Sequence, residues 1–76
     1  MNTEERAIIL ANKALVNPEL LETLPEDIMF KFVIGIALFD IDLAMKLEAL
    51  RPFTDSKTKI LFWEAVGILM PQESLA

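Results

Sequence analysis

The chain has 76 residues, 54% hydrophobic and 25% charged, and its twelve acidic against seven basic side chains give a formal charge of -5. That composition excludes a disordered tail, which would lack the apolar side chains that offset ordering entropy, and the charge has the wrong sign for attraction to a phosphate backbone or an anionic membrane. With no cysteine and no histidine, disulfides, thiolate chemistry and the usual zinc and haem ligands are missing, so a domain this small must depend on packing or on association.

The opening residues Met1-Asn2-Thr3-Glu4-Glu5-Arg6 lack the charged-then-apolar layout of a signal peptide and read as a cytoplasmic start. Asn2 and Glu5 have capping-box spacing and predict a first helix over residues 3–16. At 3.6 residues per turn it places Ala7, Ile8, Leu10, Ala11, Ala14 and Leu15 on one core face, with Ile9 and Val16 on the other side as a second apolar contact.

Asn17-Pro18 is the clearest local signal: Asn17 suits an N-cap, Pro18 suits the first helical position, and Val16 with Leu21 has the spacing of a hydrophobic staple. A short helix over 18–23 follows. Thr23 and Glu26 repeat the capping-box spacing around Pro25 and predict another start at 25, so the chain turns a tight corner here.

Residues 28–39 read IMFKFVIGIALF, with the single charge Lys31. A helix apolar all round is normally buried on all sides or embedded in lipid. Asp27, Asp40 and Asp42 close this run well short of the roughly 20 residues that a membrane span needs. Phe, Val and Ile also suit a strand, but helical signals flank the segment and no second strand is present to pair with it. The predicted helix covers 25–39, with a break before a further helix over 41–50 capped by Asp40 or Asp42; one helix of about 25 residues is the alternative. Arg51-Pro52 ends whatever precedes it. Thr54, Asp55 and Ser56 are candidate caps for a last helix over 56–70, stopped by Pro71, with 71–76 as a frayed tail.

No arrangement of residues points to chemistry. Asp40 and Asp42 lie on different sides of a helix with no third oxygen ligand nearby, and read as capping and first-turn charges. Ser56 beside Lys57 and Lys59 is the only hydroxyl with a lysine base in reach, and a serine at a helix start is ordinarily a cap. Glu19, Glu22, Glu26 and Asp27 form an acidic segment; it reads either as a mimic of phosphates that docks on a nucleic-acid-binding protein or as a solvated face near helix N-termini. No enzyme, no cofactor and no metal are expected, and no direct contact with nucleic acid.

The apolar excess is what remains. On the third predicted helix Met29, Phe30, Val33, Ile36 and Ala37 make a core face, while Ile28, Phe32, Gly35 and Phe39 make a second stripe. On the last, Leu61, Phe62, Ala65, Val66, Ile68 and Leu69 make a wide core face, with Ile60, Trp63, Gly67 and Met70 bordering it. The expectation is an all-α bundle of four or five short helices, dimeric or holding another protein through Ile28, Phe32, Gly35, Phe39, Ile60, Trp63 and Met70. Such a protein acts as an adaptor, inhibitor or assembly factor. The alternative is peripheral membrane association through 28–39, against which the lack of a basic polar face argues.

Overall fold

Capping chemistry marks where the helices begin in the computed structural model, which describes residues 2–69. Helix α1 (Thr3–Val16) starts at Asn2, whose side-chain oxygen accepts the Glu5 backbone N–H at 2.8 Å and so satisfies one first-turn donor. Helix α2 (Glu19–Glu22) is a single turn after Pro18. Helix α3 (Glu26–Ala37) opens after Pro25, α4 (Ile41–Leu50) after Asp40, and α5 (Ser56–Leu69) after Asp55, whose carboxylate accepts from the Thr58 N–H at 3.0 Å and the Thr58 hydroxyl at 3.1 Å. Met70 and the expected tail 71–76 lie outside the described residues.

The break between α3 and α4 is a cap, not a kink. The Phe39 and Asp40 N–H groups both donate to the Ile36 carbonyl, at 2.9 and 2.8 Å. Asp40 then adopts an extended backbone, and its carboxylate accepts the Leu43 N–H at 3.1 Å. The third helix therefore stops at Ala37, two residues before the expected end, and Phe39 stands in a turn.

Helix α3 is the hub, packing against α1, α4 and α5, while α4 also packs on α1. Its expected core face is buried: Met29, Val33 and Ile36 fully, Ala37 almost so, with Phe30 partly buried against them. The other helices contribute Ala11, Ala14, Leu21, Leu43, Ala44 and Leu47. Phe53, between α4 and α5, is also fully buried and links the two sides of an aromatic chain. Its ring centroid lies 5.8 Å from that of Phe30 on α3 and 5.4 Å from that of Phe62 on α5, and Phe62 meets Trp63 at 5.0 Å.

A polar corner ties the helix ends together. The Glu26 carboxylate accepts the Thr54 N–H at 2.9 Å, the Thr54 hydroxyl at 2.8 Å and the Asp55 N–H at 2.9 Å. Those bonds, with the nearby Arg51 charge, hold its pKa below the ordinary carboxylate value. Arg51 donates to the Leu21 carbonyl at the end of α2, and the Phe53 N–H donates to Glu48 at 3.3 Å.

Several local expectations are corrected here. Thr23 and Glu26 do not form a capping box: the Thr23 hydroxyl donates back to the Leu20 carbonyl at 3.3 Å, and Glu26 is engaged across the bundle. The short helix spans Glu19–Glu22, and Asn17 serves as the C-cap of α1, its N–H bonded to Lys13 and its carbonyl accepting from Leu20. The Val16–Leu21 staple is absent, since Leu21 is buried while Val16 is 87% exposed. On α1, Leu10 is exposed instead of joining the core face.

Candidate protein-binding surface

The widest departure from expectation is on α5. Of the wide core face, only Phe62 and Val66, one turn apart, are buried; Ala65 is partly so, while Leu61, Ile68 and Leu69 are exposed. The reason is geometric. Helix α5 rests on α3 along one line, and a single neighbour covers about a third of a helix circumference.

The exposed side of α5 follows from about 100° of rotation per residue. Around it lie, in order, Trp63, Gly67, Ile60, Glu64, Lys57, Ile68 and Leu61, an arc of roughly 160°. Ile60, Leu61, Trp63 and Ile68 are 58%, 54%, 49% and 79% exposed. Two apolar strips thus flank a narrow polar line made by Lys57 and Glu64, both exposed. A Cβ placed on Gly67 would meet nothing within 4 Å, so this bundle does not itself require a glycine there.

The residues expected on the α3 stripe are dispersed. Ile28 is exposed, Phe32 is partly buried and packs against the core, and Gly35 is partly buried with open space where a Cβ would sit. Phe39, half exposed in the turn, lines a cleft of about 410 Å³ with Ile8 and Ile9, rimmed by Glu4 and Glu5. Ile28 and Phe32 each lie two residues from Phe30, which puts them about 160° around α3 from the side that carries the aromatic chain toward α5. Ile60 and Trp63 therefore share a surface with each other and not with the α3 group. Met70 lies outside the described residues.

Comparison with protein-family models, with curated proteins and with solved structures finds no match, so function is argued from the surface alone. Three features bear on the other readings. No helix among the described residues is long and apolar enough to cross a membrane. The 28–39 segment buries Met29, Val33, Ile36 and Ala37, so placing that whole segment in a bilayer requires opening the core. One of the four carboxylates in the acidic segment, Glu26, is engaged inward by Thr54 and Asp55. Sequence reasoning missed Leu61 and Ile68 as exposed residues because helical periodicity reports an apolar face but not whether a neighbour lies over it.

Proposed function

We propose that this chain is a non-catalytic protein-binding domain, acting as an adaptor, inhibitor or assembly factor, and that the outer side of α5 is its contact surface. The observation that carries this reading is that Ile60, Leu61, Trp63 and Ile68 stay about half to four-fifths exposed on one helix. Apolar side chains gathered on one exposed side of a helix, here as two strips with the polar line of Lys57 and Glu64 between them, are the kind of surface that marks interaction sites. Trp63 is the residue type that most often anchors such contacts, presenting a rigid ring already steadied on one side by Phe62.

The double variant Trp63→Glu/Ile68→Glu tests the reading. Both positions are exposed, so helix content should be kept while self-association and the retention of bound proteins are lost. A folded double variant with the same solution mass and the same bound proteins as the parent chain refutes the proposal.

A further inference from the structure

We propose that the outer side of α5 pairs with the same surface of a second copy of this chain, the two helices running antiparallel about a twofold axis beside Ile60 and Leu61. The inference rests on reading that side of α5 as a contact surface, and what points to a second copy is charge. Lys57 and Glu64 are seven residues apart, two full turns, and both lie on the central line of the exposed arc. A parallel pair would set lysine against lysine and glutamate against glutamate. An antiparallel pair centred between Ile60 and Leu61 sets each Lys57 opposite the other copy's Glu64, twice.

The same operation is consistent with the apolar strips. A twofold axis lying in the interface and perpendicular to the helices keeps each strip on its own side, so Ile60 meets Ile60 of the second copy on one flank and Leu61 meets Leu61 on the other. The surface is thus complementary to itself, as an isologous contact requires. A register shifted to centre on Glu64 would place two like charges together at the axis.

The size of the contact sets its strength. A helix of 14 residues is about 21 Å long, and a pair of that length buries less than the roughly 800 Å² per partner of a standard interface. The dimer is therefore expected to dissociate in the micromolar range.

Sedimentation over about 1–500 µM gives the first readout, with a monomer–dimer equilibrium expected. Lys57→Glu should weaken the dimer roughly tenfold, because two attractive pairs become repulsive, and Lys57→Glu/Glu64→Lys should restore it. The chain has no cysteine, so single substitutions report the register directly. Ile60→Cys and Leu61→Cys should each form a disulfide-linked dimer on mild oxidation. Glu64→Cys and Ile68→Cys should not, since symmetry mates there are offset by about 10 Å and 22 Å along the helix, beyond the roughly 7 Å reach of a disulfide. A monomer at every concentration, or crosslinking at 64 or 68 in place of 60 and 61, overturns the proposal. If the chain is monomeric and Trp63→Glu/Ile68→Glu nevertheless loses a different bound protein, self-pairing fails while the contact surface stands; if neither association exists, both fail.

Discussion

Replacing Phe53 with alanine tests whether α5 is held to the bundle by the aromatic chain. Phe53 is 1% exposed and touches Phe30 at 5.8 Å and Phe62 at 5.4 Å, so its removal leaves a cavity between α3 and α5 and breaks both ring contacts. Truncating a buried phenylalanine costs about 3–5 kcal/mol. Chains of this length have a total stability of about 4–11 kcal/mol, at roughly 0.05–0.15 kcal/mol per residue. A loss near 4 kcal/mol corresponds to a fall in melting temperature of about 15–30 °C. The core built by α1, α3 and α4 keeps its own buried residues, such as Ala14, Val33, Ile36 and Leu47, so the damage should be greatest at α5. Trp63, the chain's single tryptophan, rests on Phe62 and reports α5 docking by its emission, while circular dichroism reports total helix. In Phe53→Ala the tryptophan transition should precede the loss of helix on heating or in urea. Coincident transitions within about 1 kcal/mol of the parent chain would refute the view that this loop residue holds α5.

The Glu26 clamp predicts a pH dependence. Its carboxyl titrates below its usual value because the folded state donates three hydrogen bonds to the charged form, so its contribution is complete above the unfolded carboxylate range and is lost as pH falls through the lower folded value. Acid titration of stability should therefore be shallower in Glu26→Gln than in the parent chain, and equal slopes would contradict the clamp. Gly35→Ala should stabilise the bundle by about 0.5–1 kcal/mol, since a Cβ there meets nothing within 4 Å and the residue is inside a helix; denaturant melts that show a loss would reveal packing at that position. Val16→Lys should change stability by less than about 0.5 kcal/mol because Val16 packs on nothing, whereas a hydrophobic staple would make the substitution costly in the same melts.

Much of the fold was legible in the chain itself because helix ends are local events. Asn2, Asp40 and Asp55 each accept a backbone N–H three residues on, and Pro52 closes off α4, so the starts of α1, α4 and α5 follow from short-range chemistry, while α2 and α3 begin after Pro18 and Pro25 without the side-chain caps expected there. The core face of α3 was legible too, because periodicity names the apolar side and the central helix has neighbours to bury it. What only the tertiary structure decided was which apolar sides receive cover. Glu26 had the spacing of a local cap, yet it bonds residues 28 and 29 positions away, and Phe53, in the loop before α5 where no helical periodicity applies, fills the space between two helices. The surplus of apolar surface was visible from composition alone. Its location was legible only in part: Ile60 and Trp63 were expected on a stripe of α5 and are exposed, whereas Leu61 and Ile68 have the same periodicity whether or not another helix lies over them, and burial depends on where the chain places its neighbours.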